Sequence, residues 1–150
     1  YTVFQIGFVE ELCKFIPFYF ICTRFKEYNE LIDGLIYASM IGIGFSLEET
    51  FFYTGFESDS KLLVARAIVS PITHALFSSF FGFYHIVSLA KRSRLWLIFG
   101  FCLSFILHGV YDFFSLQEAP PYPMFASALI LMIWIWRIRT FKELHRRKLP

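Results

Sequence analysis

Eight titratable side chains stand inside otherwise apolar stretches of this sequence: Glu10, Glu11, Lys14, Glu48, Glu49, His74, His108 and Asp112. A bilayer interior resists such groups at roughly 2.5–3.5 kcal/mol each on insertion scales, so an intramembrane carboxylate or imidazole marks a functional site by default. Carboxylates and imidazoles are also the groups of general acid–base catalysis and of metal ligation. Glu10 and Glu11 lie four and three residues before Lys14, spacings that bring side chains together on a helix. One lysine leaves one carboxylate over, free to act as a base while the other stays paired. Glu48 and Glu49 are about 100° apart on a helix, so only one need face inward. His108 and Asp112 are four apart, which lets the carboxylate orient the imidazole. The structural alternative is that these charges only tie helices together.

Apolar segments must position these groups. A hydrocarbon core of about 30 Å needs about 20 apolar helical residues. Five segments are expected to be helical, at about Tyr1–Thr23, Gly34–Phe56, Leu62–Ala90, Leu95–Leu116 and Met124–Ile138. The last is short unless it extends through Arg137 and Arg139, whose stems can snorkel. Polar connectors separate the segments, and Ala119-Pro120-Pro121-Tyr122-Pro123 is expected to stay out of helix because proline lacks a donor. Gly42 and Gly44 are expected to allow close helix approach.

Eleven of the 14 Lys and Arg residues fall on one side of this layout: Arg24, Lys26, Lys91, Arg92, Arg94, Arg137, Arg139, Lys142, Arg146, Arg147 and Lys148. The positive-inside rule makes that side cytoplasmic. At about 1.5 Å per residue, Glu10, Glu49, His74 and His108 lie about 13, 10, 18 and 12 Å from the outer ends of their helices. Their depths overlap in the outer half, as one shared polar site requires.

Composition agrees. Hydrophobic residues make up 57% and charged residues 17%, against about 25% charged in soluble domains. Disorder, coiled coil and a disulfide scaffold are excluded, and a net charge of +2 gives no reason to expect nucleic acid. Cys13, Cys22 and Cys102 lack metal-binding spacing and are expected to be small buried hydrophobes. His85 and His145 are expected to be bystanders. The first residue is Tyr1, and no basic stretch precedes the first apolar run; a further N-terminal segment is expected, and no signal peptide is read.

Four motifs in order carry a resemblance. Glu10-Glu11-Leu12-Cys13-Lys14 reads EExxK, Phe45-Ser46-Leu47-Glu48-Glu49 reads FxxxE, Arg66 to Ala75 reads RxxxxPxxHA, and His108 to Phe113 reads HGxxDF. Together they resemble the PrsW family of intramembrane proteases, itself distantly similar to the Abi/CAAX prenyl-protease superfamily. The resemblance spans Val9 to Phe113. Relative to the CAAX pattern, EExxK replaces EExxxR, Glu49 replaces a histidine and Asp112 an asparagine, and Thr50 stands where PrsW-like sequences often have asparagine. The resemblance implies site-1-type cleavage of a membrane-anchored protein substrate such as an anti-sigma factor, in a bacterial cytoplasmic membrane.

The expected architecture is an all-α polytopic transmembrane bundle of about five helices. Residues 1–138 form the protease-like domain in the lipid bilayer, and 139–150 a basic cytoplasmic tail. The expected site is Glu10, Glu11, Glu49, His74, His108 and Asp112. In one mechanism Glu10 or Glu11 activates water and His74 or His108 stabilises the oxyanion. In the other, Glu49, His74 and His108 hold zinc, with Glu10 or Glu11 as base. A proton- or ion-coupled transporter would also carry such charges, but would show repeats; a non-catalytic scaffold is the third class. The charge asymmetry makes a topology prediction. A reporter fused after Lys148 should behave as cytoplasmic and one inserted in Gln117–Pro123 as external; the reverse pattern would overturn the orientation.

Overall fold

The computed structural model describes residues 3–30, 32–56, 59–117 and 119–146. Tyr1, Glu57, Arg147 and Lys148 lie outside the described residues, as does the side chain of His145. A π-helical turn, Val3–Gly7, leads into α1 (Phe8–Phe20), and a 3-10 turn follows at Cys22–Arg24. Then come α2 (Asp33–Tyr53), α3 (Ser60–Lys91), α4 (Leu95–Ser115) and α5 (Tyr122–Arg146). No strand occurs among the described residues.

Four helices, α2 to α5, are long and apolar enough to cross a membrane. The first expected segment differs: α1 has 13 residues and carries Glu10, Glu11 and Lys14. Its polarity is absorbed by the bundle, because Glu11 and Lys14 are fully buried. The molecule is apolar outside and partly polar within. Phe51, Phe56, Leu95, Met124 and Leu131 are exposed, while Glu11, Lys14, His74, His108, Ser78 and Ser104 are buried. Such an arrangement suits a lipid surround, where chains as apolar as leucine solvate the outer side chains.

The central helix is α3. Asp59 caps it by accepting the Lys61 amide at 2.9 Å, and Arg92 ends it in the left-handed region at φ 50°. Its 32 residues give a rod of about 48 Å, longer than the hydrocarbon core. α2 lies tightly along it. At the Gly34–Gly82 crossing, a Cβ on either residue would run into the other's carbonyl oxygen. Farther along, a Cβ on Gly42 would sit 2.6 Å from the His74 carbonyl oxygen. Gly44, expected to share this role, has nothing within 4 Å of its Cβ position and faces outward.

α5 departs from expectation at both ends. Tyr122 and Pro123 are helical, because the first turn has no intrahelical use for the amide that proline lacks. At the other end the helix continues unbroken past Ile138 to Arg146. Arg137 turns inward, and its Nη1 donates to the Ala75 carbonyl at 2.9 Å. Among the cysteines, all free, Cys22 is buried, Cys102 half-buried and Cys13 exposed, so the expectation of burial fails at Cys13. Cys13 lies on the outer face of α1, opposite the inward pair Glu11 and Lys14, where lipid accepts a small apolar thiol. Packing at the crossing makes a prediction. Gly82→Leu should lower stability by about 1–3 kcal/mol or prevent folding, whereas Gly44→Leu should stay within about 0.5 kcal/mol. Thermal unfolding in detergent compares the two.

Candidate active site

Glu11 is the inward carboxylate of α1, and all its acceptor capacity is used. Oε1 accepts from Lys14 Nζ at 2.6 Å and from His108 Nδ1 at 2.9 Å. Oε2 accepts from Ser104 Oγ at 2.6 Å and from Ser78 Oγ at 3.5 Å. One turn thus joins α1 to α3 and α4. Glu10, beside it, is different. Its Oε2 has no hydrogen-bond partner among the described residues although it is buried. It lies 3.6 Å from Lys14 Nζ, 3.8 Å from His74 Nδ1 and 3.7 Å from His108 Nε2.

The hydrogen bonds fix both imidazole tautomers. An ammonium only donates, so His74 Nδ1, 2.6 Å from Lys14 Nζ, accepts. The ring proton is then on Nε2, which donates to Glu49 Oε2 at 3.0 Å. In His108 Nδ1 donates to Glu11, which leaves Nε2 as the nitrogen turned toward Glu10. Each histidine therefore has one nitrogen held by a carboxylate and the other turned toward Glu10. The rings pack edge to face at 5.0 Å, and His108 is stacked on Phe77 at 4.9 Å.

The remaining expected residues take distinct places. Glu49 faces inward and Glu48 is exposed. Glu49 also receives Arg66 Nη1 at 3.4 Å and Ser70 Oγ at 3.2 Å. The Arg66 guanidinium lies 3.9 Å over the Tyr53 ring. Asp112 Oδ2 is 3.5 Å from His108 Nε2 and is likewise buried without a hydrogen-bond partner among the described residues. His85 lies apart, bonded to the Tyr28 hydroxyl at 2.6 Å. Ser70, Ser78 and Ser104 are site residues not singled out from sequence. Two carried a signal: Ser78 is four residues after His74 and Ser104 four before His108, so each shares its histidine's face.

Comparison with known proteins follows from this geometry. A family model described as PrsW family intramembrane metalloprotease matches residues 1–138. The chain belongs to this family. Protease PrsW of Geobacillus kaustophilus is 31% identical over 137 residues, covering 90% of this chain and 60% of that protein. Protease PrsW of Oceanobacillus iheyensis is 28% identical over 144 residues, covering 93% and 65% respectively. Protease PrsW of Bacillus subtilis is 26% identical, covering 91% of this chain and 63% of its own length. The chain thus spans about three-fifths of the length of these relatives. No solved structure gives a significant match.

A PrsW family metalloprotease implies a metal, and the residues here fit one. Glu10, His74 and His108 each offer a ligand atom, all within 4.8 Å of one another. Two imidazoles and a carboxylate suit zinc. Glu49, expected as the third ligand, instead holds the opposite nitrogen of His74. A carboxylate on the far nitrogen is the arrangement that orients histidine rings in metal sites generally, and Glu11 stands in the same relation to His108. The cluster holds four carboxyl groups, Glu10, Glu11, Glu49 and Asp112, against two basic side chains, Lys14 and Arg66. Lys14 is the competing cation at His74 Nδ1. These roles separate in a metal titration. His108→Ala should abolish binding of one zinc per chain, and Glu49→Gln should weaken it about 10–100-fold. Equal loss from both variants would make Glu49 a direct ligand.

Proposed function

We propose that this chain forms the catalytic part of an intramembrane endopeptidase that hydrolyses a peptide bond in a membrane-anchored protein. The carrying observation is Glu10. Its Oε2, buried without a hydrogen bond, faces one ring nitrogen of each of two imidazoles, and each ring is held from behind by a carboxylate. A scaffold made only of ion pairs would leave no buried carboxylate oxygen unsatisfied, since an unmet polar atom costs free energy without holding anything together.

In the reading we favour, Glu10, His74 and His108 hold the metal, and zinc in such a place supplies an activated water and polarises a carbonyl. The chain's own residues do the rest. Glu11 and Glu49 fix the two rings and their tautomers. Asp112 Oδ2 is the unpartnered carboxylate oxygen left beside His108, and it accepts the water's proton as general base. Glu11, with four hydrogen bonds already accepted, positions rather than reacts. A second reading is favoured by Lys14, which sits on the His74 nitrogen that a metal would need. There Glu10 is the general base, and no metal takes part.

The substrate we propose is a single-span protein such as an anti-sigma factor, cut on the outer side of a bacterial cytoplasmic membrane, with the chain's C-terminus cytoplasmic. The site's location supports this: Glu49 lies near the end of α2 and Arg66 near the start of α3, away from the basic loops. Cleavage of a single-span substrate in reconstituted vesicles tests the proposal. Glu10→Gln should lower the rate at least about 10²-fold, as a lost metal ligand in the first reading and as a lost general base in the second, with thermal stability near wild type. Glu11→Gln should lose both activity and stability, because it leaves buried partners uncompensated. Wild-type cleavage by Glu10→Gln would overturn the proposal. A chelator stops cleavage in the first reading and spares it in the second.

A further inference from the structure

A second feature of the bundle lies away from the carboxylates. α2, α3 and α5 enclose a cavity of about 470 Å³, walled by Ile43, Ile72, Leu76 and Trp134, with Arg137 and Lys142 also lining it. Along α5, Arg137 is about 22 Å and Lys142 about 30 Å from the helix start, so Lys142 stands where a hydrocarbon core of about 30 Å ends. The groove's walls are apolar, with Lys142 at the end facing the basic loops and the Arg137 guanidinium deeper, at the Ala75 carbonyl. No acidic side chain lines it among the described residues. The Arg137 guanidinium is fixed by its bond to the Ala75 carbonyl, and it has further N–H donors to offer.

We propose that this groove binds an anionic phospholipid from the leaflet on the side of the basic loops. The phosphate lies between Arg137 and Lys142, and an acyl chain runs inward over Ile72, Leu76 and Trp134. Basic pockets between transmembrane helices on the cytoplasmic side are where anionic headgroups bind. A substrate helix is a poorer match, since two cations with no acidic side chain among the lining residues call for an anion. The neighbouring groove between α3 and α5 supplies a contrast. It too has two cations, Lys91 and Arg139, but Glu143 lines it with them.

Native mass spectrometry of the full-length protein in detergent tests the proposal, with phosphatidylglycerol and phosphatidylcholine of matched acyl chains as probes. Phosphatidylglycerol should be retained preferentially. Arg137→Gln and Lys142→Gln should each cut that preference roughly five-fold, the effect of one surface cation. Ile72→Trp should fill the groove and abolish retention while leaving both cations and the Arg137 bond in place, so the result stands even if Arg137→Gln misfolds. The pair Lys91→Gln and Arg139→Gln should change nothing. The proposal is overturned if both lipids are retained equally, or if neither is because another part of the full-length protein fills the groove. It is overturned equally if the preference survives Ile72→Trp.

Discussion

The buried carboxylate of Glu11 is the constraint on which the rest of the structure depends. A charge in an apolar interior is tolerated only when paired and fully hydrogen-bonded. Here the partners come from three helices: Lys14 on α1, Ser78 on α3, and Ser104 and His108 on α4. Meeting all of them at once fixes the depth and rotation of α1, which carries Glu10, Glu11 and Lys14 within five residues. Ser104 Oγ also lies 2.8 Å from the Phe77 carbonyl, so the same hydroxyl sits at the α3–α4 seam. Replacing one of these partners would leave the others facing an uncompensated charge.

That constraint also divides labour among chemically equal groups. Glu10 and Glu11 are adjacent on one helix, yet one is saturated and the other is left with an unmet oxygen. The helical step of about 100° turns Glu11 into the bundle and Glu10 toward its rim, where its side chain keeps 19% of its exposure. Glu49 and Asp112 share that rim at 17% each. A reacting carboxylate needs substrate access and spare acceptor capacity, and a positioning carboxylate needs neither. Glu10 and Asp112 meet the first description and Glu11 the second, while Glu49 shares the rim but already accepts from His74, Ser70 and Arg66. Lys14 links the two sets, donating to Glu11 and to His74 while its ammonium lies 4.5 Å from the Phe45 ring centroid.

Much of this was legible in the sequence, because membrane burial makes polar residues conspicuous. Glu10, Glu11, His74, His108 and Asp112 stood out only because their neighbours are apolar, and all of them lie within one cluster. The inward choice of Glu49 over Glu48 also agrees with the fold. What was not legible depends on side-chain direction across helix interfaces. Glu49 meets His74 through the ring nitrogen that points away from Glu10, and no spacing rule distinguishes the two nitrogens of one imidazole. Serines 78 and 104 are small and common in membrane helices, so their spacing to the histidines carries meaning only once the Glu11 carboxylate is known to lie between them. The length of α5 was underread because a proline cluster and a pair of arginines look like boundaries, whereas a first-turn proline and an inward arginine are both compatible with continued helix.

The bundle is therefore polarised along its axis by two kinds of charge. Glu48 and Glu49 lie toward the end of α2 and Asp112 toward the end of α4, while the cations outside the site, Lys61 apart, collect at the opposite surface. Arg137 also departs from that sorting. It reaches inward to the Ala75 carbonyl, one residue from His74, and Ser39 approaches the same carbonyl at 3.3 Å. On the other side of the same turn, the His74 backbone packs on Gly42. The segment carrying His74 is thus clamped from α2 and α5 at its backbone while its ring is clamped by Glu49 and Lys14. A histidine whose main chain and ring are both fixed has little freedom to leave its position beside Glu10. That restraint also couples the cationic groove to the site, because the arginine that lines the groove holds the turn on which the site's histidine stands.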